Sequence, residues 1–160
     1  MLSRRRFLEF GFLTVGIAIF IDKKVVGAVS FSESVKVLYN DLFPGIDTQS
    51  SYNYLKNIIL NHSKITKIEK DFIRNGIQWL NKEAISLHNK AYPMLTKQQR
   101  EDVLEHFSKS QRGEEWLFIM MGYMFESILA DPVYGTNADN LYWKWLNFKA
   151  GIPRPKKAYL

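Results

Sequence analysis

The spacing of apolar residues in the middle of the chain is the feature that most restricts its fold. Between Ile65 and Ala91 apolar side chains recur at steps of three and four, and Pro93 ends the pattern. This spacing places them on one face of a long amphipathic helix. Other stretches repeat the spacing, and none alternates strongly as a half-buried strand does. The sequence therefore predicts an all-α fold, a small multi-helix domain followed by an extended, aromatic-rich C-terminal arm.

Further helix boundaries follow from capping and turn residues. Thr96 and Gln99 form a capping-box pattern that predicts the start of a helix. Gly113 is predicted to separate that helix from another over residues 114–130, whose wide apolar surface we expect to lie mostly in the core. Residues 46–51 are polar and are predicted to form a turn between two short helices.

Residues 1–28 have the composition of an export signal. A basic head precedes an apolar run of about 12 residues, shorter than the roughly 20 that a membrane span needs. The head matches the twin-arginine signal, which a receptor reads as an address. The residues that carry this match are Ser3, Arg4, Arg5, Phe7 and Leu8.

Small residues at Val26-Gly27-Ala28 predict cleavage after Ala28, which leaves residues 29–160 as a single domain. Two alternatives are a buried apolar helix behind a basic cluster and an uncleaved membrane anchor. The charges of Asp22, Lys23 and Lys24 follow the apolar run too soon for a comfortable span. The signal therefore predicts export by the twin-arginine route to the periplasm.

Charge and cysteine content exclude several classes of function. The full chain of 160 residues has a net charge of +6, but residues 29–160 carry 17 basic and 14 acidic side chains. A charge of +3 spread along the chain does not indicate nucleic-acid binding. The chain has no cysteine, so disulfides, thiolate metal sites and a cysteine nucleophile are excluded.

Residues that could support catalysis or metal binding are few. His62, His88 and His106 have no ligand spacing, and we expect them to be solvated surface residues. Glu126 lies on a mostly apolar helix, where its carboxylate could be buried and paired. Such a pairing favours a structural role for Glu126 over a catalytic one. No phosphate-binding or nucleophile motif is present. We therefore expect no catalytic, cofactor-binding or metal site, with a small enzyme built around Glu126 as an alternative.

The C-terminal arm, residues 133–160, combines aromatic side chains with glycines and prolines. Tryptophan and tyrosine outside an evident core are enriched at protein interfaces. The arm therefore predicts either a partner-binding segment or one that folds back over its own helices, and both can hold for different side chains. Its aromatic residues are Tyr134, Tyr142, Trp143, Trp145, Phe148 and Tyr159.

A family resemblance spans nearly the whole chain. After the signal come residues 42–48, Leu-Phe-Pro-Gly-Ile-Asp-Thr, and residues 95–99, Leu-Thr-Lys-Gln-Gln. Residues 131–137, Asp-Pro-Val-Tyr-Gly-Thr-Asn, follow, with Trp143-Lys144 soon after. In this order the chain resembles the small subunit (gamma subunit, or subunit 3) of membrane-bound gluconate 2-dehydrogenase and related FAD-dependent sugar and sugar-acid dehydrogenases.

The resemblance implies a non-catalytic subunit in a periplasmic complex at the inner membrane. It implies two partners with cofactors, a large FAD-dependent dehydrogenase subunit and a multihaem cytochrome c subunit that carries haem c. It also implies that the small subunit supplies the twin-arginine signal for the flavoprotein. Another interpretation is a stand-alone exported binding or assembly protein. The residues expected to shape the turn and anchor the partner are Asp131, Pro132, Tyr134, Gly135, Asn137, Trp143, Trp145 and Phe148.

Overall fold

A computed structural model describes residues 29–158 of the chain. The predicted signal segment, including Ser3, Arg4, Arg5, Phe7 and Leu8, lies outside the described residues, and so does the predicted cleavage site. No strand occurs between residues 29 and 158, and the predicted all-α class is confirmed.

Six α-helices and several short helical turns make up the described chain. The helices are α1 (Phe31–Leu42), α2 (Thr48–Tyr54), α3 (Lys67–His88), α4 (Lys97–Ser108), α5 (Gln111–Leu129) and α6 (Leu141–Trp145). A π-helical turn, Leu55–Ile59, continues α2, and 3-10 turns cover Tyr92–Met94, Pro132–Tyr134 and Ala138–Asn140. The core lies between α1, α3, α4 and α5, with α2 and its π-helical turn packed beside them.

Capping side chains fix where the helices begin. The predicted capping box at Thr96 and Gln99 is confirmed, because each side chain bonds the other's backbone N–H. The start of α2 differs from the predicted turn over residues 46–51. Asp47 accepts hydrogen bonds from the N–H groups of Gln49 and Ser50, at 3.1 and 3.0 Å, and so starts a helix at Thr48.

The glycine predicted to separate α4 from the next helix lies inside α5 instead. The Ser110 hydroxyl caps α5 by accepting from the N–H of Gly113 at 3.0 Å. A Cβ atom at Gly113 would overlap the carbonyl oxygen of Phe107 near the end of α4. Glycine is therefore needed here because it lets two consecutive helices approach closely, without a break in the second helix.

Trp116 on α5 lies at the centre of the core. Its indole is fully buried and crosses Gly76 on α3, where a Cβ atom would overlap the ring. The indole N–H donates to the carbonyl of Ile73 at 3.1 Å, which satisfies its one polar atom. The ring of Phe107 meets it edge-on, with 5.8 Å between centroids. Trp116 therefore joins α3, α4 and α5 at one point.

A partly buried ion pair joins α1 to α4. The guanidinium of Arg100 donates two hydrogen bonds to the Asp41 carboxylate, at 2.6 and 3.0 Å, and a third to the carbonyl of Leu95 at 2.7 Å. The hydroxyl of Tyr92 donates to the same carboxylate at 2.7 Å. Burial and this acceptor raise the pKa of Tyr92, and the hydrogen bond to Asp41 raises the pKa of Arg100. Every polar atom of the Asp41 carboxylate is thus bonded, as a buried charge requires.

The start of the predicted extended arm is folded into helical turns. Residues 132–134 and 138–140 form 3-10 turns, and α6 follows at once. Beyond α6 the described chain has no regular secondary structure up to residue 158. We call residues 131–158 the C-terminal tail and residues 29–130 the helical body.

Candidate partner-binding surface

The chain leaves α5 through a turn built by three of the predicted residues. The Asp131 carboxylate accepts from the N–H of Val133 at 3.0 Å and so caps the 3-10 turn, with Pro132 as its first residue. Gly135 ends the turn with φ of +80°, a left-handed conformation that glycine adopts at little cost.

Asn137 holds the tail against the end of α5. Its side chain is buried, and its amide group donates to the carbonyl of Ala130 at 3.1 Å. Its amide oxygen accepts from the N–H of Tyr142 at 3.0 Å. Asn137 thus satisfies one backbone group at the end of α5 and another at the start of α6. It also adopts a left-handed backbone conformation, which asparagine tolerates better than most residues.

Trp143 packs against the protein's own helical body. Only 9% of the residue is exposed, and its indole N–H donates to the carbonyl of Leu129 at 2.7 Å. This bond satisfies one of the carbonyl groups that the end of α5 leaves free. Phe148 meets the indole edge-on, with 5.5 Å between ring centroids. The indole is therefore an internal attachment point for the tail.

Arg154, which sequence reasoning missed, closes the tail into a compact unit. Its guanidinium lies 4.9 Å from the centroid of the Trp143 ring and donates to both carboxylate oxygens of Asp131, at 2.9 and 3.1 Å. A further bond reaches the side chain of Asn140 at 3.2 Å. The bond from Arg154 holds the pKa of Asp131 below its usual range, with the Val133 N–H acting in the same direction. A cation above an aromatic face and a two-point carboxylate bond are both favourable.

Tyr134 joins the tail to Tyr54 on α2, and Tyr54 in turn bonds Glu126. Its ring lies edge-on to Tyr54, with 6.2 Å between centroids. The hydroxyl of Tyr54 donates to Glu126 at 2.8 Å, and burial together with this acceptor raises the pKa of Tyr54. The predicted structural pairing of Glu126 is confirmed by this bond to Tyr54. Glu126 itself is exposed, however, and not buried.

Other side chains of the tail face solvent. Trp145 is 80% exposed and Phe148 is 54% exposed, the two predicted anchors that remain open. The tail therefore combines both of the expected behaviours, since some of its aromatic residues fold back and others stay free. Further exposed apolar residues of the tail are Leu141, Leu146 and Ile152.

Two of the three histidines bond carboxylates, although His106 is also exposed, as expected from the sequence. His88 and His106 each bond a carboxylate across the contact between α3 and α4, His88 to Asp102 at 3.0 Å and His106 to Glu83 at 2.6 Å. Each helix contributes one histidine and one acid, so the pairs tie the two helices together. Among residues 29–158 no three His, Asp or Glu side chains are grouped closely enough to hold a metal ion.

Two surface grooves lie on the helical body. One, of about 630 Å³, is formed by α3, α4 and the start of α5, with Trp79, Lys82 and Arg112 in its lining. The other, of about 500 Å³, lies between α3 and the start of α1, with Phe31 and Ile77 in its lining. Glu126 lines neither groove, so neither supports the alternative of a small enzyme built around it. In the described part of the chain, no helix is long and apolar enough to cross a membrane.

These features define a small all-α domain whose compact C-terminal tail presents exposed aromatic side chains. Comparison with protein families then identifies the particular group. The family model described as gluconate 2-dehydrogenase subunit 3 matches residues 10–151, and the chain belongs to this family. The family name describes a small subunit of a multi-subunit dehydrogenase. Searches of curated proteins and of solved structures found no match to the chain.

Proposed function

We propose that this chain is the exported, non-catalytic small subunit of an FAD-dependent dehydrogenase complex of the gluconate 2-dehydrogenase type. In this proposal it binds the large flavoprotein subunit and supplies the twin-arginine signal that takes both across the membrane. Membership of the subunit 3 family over residues 10–151 is the observation that carries the proposal. The substrate is oxidised at the FAD of the large subunit, and haem c in a cytochrome subunit accepts the electrons.

The tail supports a role in partner binding. Trp145 and Phe148 are large apolar side chains that stay exposed although the protein has a well-packed core. Aromatic residues of this kind contribute most of the binding energy in many interfaces. The predicted residues divide into two groups in this proposal. Trp145 and Phe148 contact the flavoprotein directly, and the others give the tail its shape. This second group is Asp131, Pro132, Tyr134, Gly135, Asn137 and Trp143.

Affinity purification of the tagged full-length chain from its own cell envelope tests the subunit role. We expect a yellow preparation that contains a flavin-bearing chain well above 18.7 kDa and that oxidises gluconate or a related sugar acid. The absorbance spectrum and protein identification report the flavin and any haem. A colourless preparation of this chain alone would contradict the subunit role and favour a stand-alone exported protein.

The export role has its own test in the paired arginines. The double substitution Arg4→Lys with Arg5→Lys should leave flavoprotein activity in the cytoplasmic fraction, because the export receptor reads the arginine pair. Arg6→Lys is the matched control, since it makes the same change beside the pair and should leave the activity in the periplasm. Normal periplasmic activity in the double variant would contradict the escort role while leaving the subunit role intact.

A further inference from the structure

The helical body and the tail differ in charge. Residues 29–130 carry 12 basic and 12 acidic side chains, which balance. Residues 141–158 carry five basic side chains and no acidic one. Arg154 is the one tail cation engaged with a carboxylate within residues 29–158, through Asp131. The positive charge of the described chain is therefore concentrated on the segment that also exposes Trp145 and Phe148.

The apolar and basic side chains are placed together by helical spacing. Leu141, Lys144 and Trp145 are three and four positions apart on α6 and so share one face of that helix. All three are exposed, while Trp143 between them points into the helical body. Phe148, whose ring packs on the edge of Trp143, and Lys149 follow α6 within a few residues and are exposed as well. We call these five residues, Leu141, Lys144, Trp145, Phe148 and Lys149, the tail patch.

The tail patch rests on a fixed framework. Asn137 and Trp143 bond the carbonyl groups at the end of α5, and Arg154 bonds Asp131 and Asn140. A surface that is ordered before binding avoids the entropy cost of ordering on contact, which favours a specific protein partner. Binding to a lipid surface requires only exposed apolar and basic side chains and gains nothing from such a framework.

We infer that the tail patch docks onto an apolar surface of the large dehydrogenase subunit that is bordered by acidic side chains. This inference rests on the proposed function and adds the chemistry of the partner's surface. Trp145 and Phe148 supply the apolar contact, and Lys144 and Lys149 pair with carboxylates at the edge. Such a contact associates faster and binds more tightly at low ionic strength, because salt screens exposed charges.

Charge reversal in the tail patch tests the inference. The variant is Lys144→Glu with Lys149→Glu, and the matched control is Lys82→Glu with Lys90→Glu. The control residues are also exposed, and they lie toward the end of α3. Trp116 bonds Ile73, and Tyr123, further along α5, lies near Glu69, which is earlier on α3, so the two helices run antiparallel. The end of α3 therefore lies beside the start of α5 and is remote from the tail, which follows the end of α5.

Binding of each variant to the flavin-bearing large subunit obtained by affinity purification is then measured at low and high salt. We expect the tail variant to bind about tenfold more weakly at low salt and to bind more tightly as the salt concentration rises, because its glutamates repel the acidic border, with the control within about twofold of wild type. Circular dichroism that shows unchanged helix content and melting temperature separates lost binding from lost folding.

Other results would overturn the inference in distinguishable ways. A complex that forms normally with both variants, at any salt concentration, contradicts docking through the tail patch and leaves the proposed function intact. Failure of the wild-type chain to bind any flavoprotein contradicts both. Patch-dependent binding to vesicles of anionic phospholipid, with an unaffected complex, assigns the tail patch to the membrane. Patch-dependent dimers in light scattering assign it to a second copy of the chain.

Discussion

Trp116 of the helical body and Trp145 of the C-terminal tail lie in opposite environments. In the helical body Trp116 is fully buried and bonded, and it joins three helices. In the tail Trp145 is 80% exposed, although Trp143 two residues earlier is buried. The body thus uses Trp116 for its own stability, although Phe118 on α5 is 73% exposed, and the tail uses one tryptophan for attachment and leaves another free. In the proposed function, stability and partner binding are then carried by separate regions.

The largest effect that separates the two regions should come from their tryptophans. Trp116→Ala removes the indole from the centre of the core, and we expect it to lower the free energy of unfolding by about 3–5 kcal/mol. Trp145→Ala removes the same side chain from the tail surface and should change that free energy by less than about 0.5 kcal/mol. Denaturant unfolding followed by circular dichroism measures both.

When binding to the large subunit is measured directly, Trp145 should matter more than Trp116, the reverse of their order in stability. Trp145→Ala is expected to weaken the complex, and the loss should be seen in a protein that melts like wild type. Equal losses of stability in the two variants would show that the tail and the body form one cooperative unit and do not have separate roles.

A smaller effect is expected at the attachment of the tail. Trp143→Ala removes the bond to Leu129 and the surface on which Phe148 and Arg154 pack. We expect the tail to become susceptible to proteolysis after its lysines, while the body melts within a few degrees of wild type. Limited trypsin digestion followed by mass spectrometry measures the cleavage rates.

Cleavage after Lys144 and Lys149 should accelerate in Trp143→Ala, and cleavage after Lys90 in the body serves as the internal control. Trp145→Ala is the matched variant and should leave all three rates near those of wild type, because that side chain makes no attachment. Tail cleavage that is equally slow in Trp143→Ala would contradict the role of the indole in attachment.

The fold was largely predictable because the information for it is local. Steps of three and four between apolar residues define the long helix α3, and Thr96 with Gln99 defines the start of α4. The same Thr-x-x-Glu pattern at Thr66 and Glu69 caps α3 and was open to the same reasoning. Asp47 was missed as a cap because its neighbours are polar and carry no helical periodicity.

Contacts between residues far apart in the chain were less predictable, both in the tail and in the body. Asp131 and Arg154 are 23 positions apart, and Asp41 and Arg100 are 59 apart. No spacing rule links such pairs. Trp143 and Trp145 illustrate a second limit. Residues two apart on a helix point in directions about 200° apart, so one of them must face outward. Sequence alone does not say which one does.

The smallest predicted effect is the response of the tail to acid. The Asp131 carboxylate has a lowered pKa in the folded protein because Arg154 and the Val133 N–H bond its charged form. A lowered pKa means that this bond stabilises the tail fully above the unfolded value of about 3.9, and that the benefit disappears as the pH falls through the folded value. We therefore expect the tail to loosen below about pH 4, while it stays attached at neutral pH.

The indole N–H signal of Trp143 in a ¹⁵N-correlated NMR spectrum reports this change, since that group donates to Leu129. Asp131→Asn keeps the cap on the 3-10 turn but removes the charge, so its indole signal should already be shifted at pH 7 and change little on acidification.

Glu69 gives the comparison within the body, because the pKa of this helix cap is also lowered, by hydrogen bonds from Thr66. Glu69→Gln should leave the Trp143 titration unchanged. A shift of the Trp143 titration in that variant would mean that acid acts on the whole domain, and that the tail has no separate equilibrium of its own.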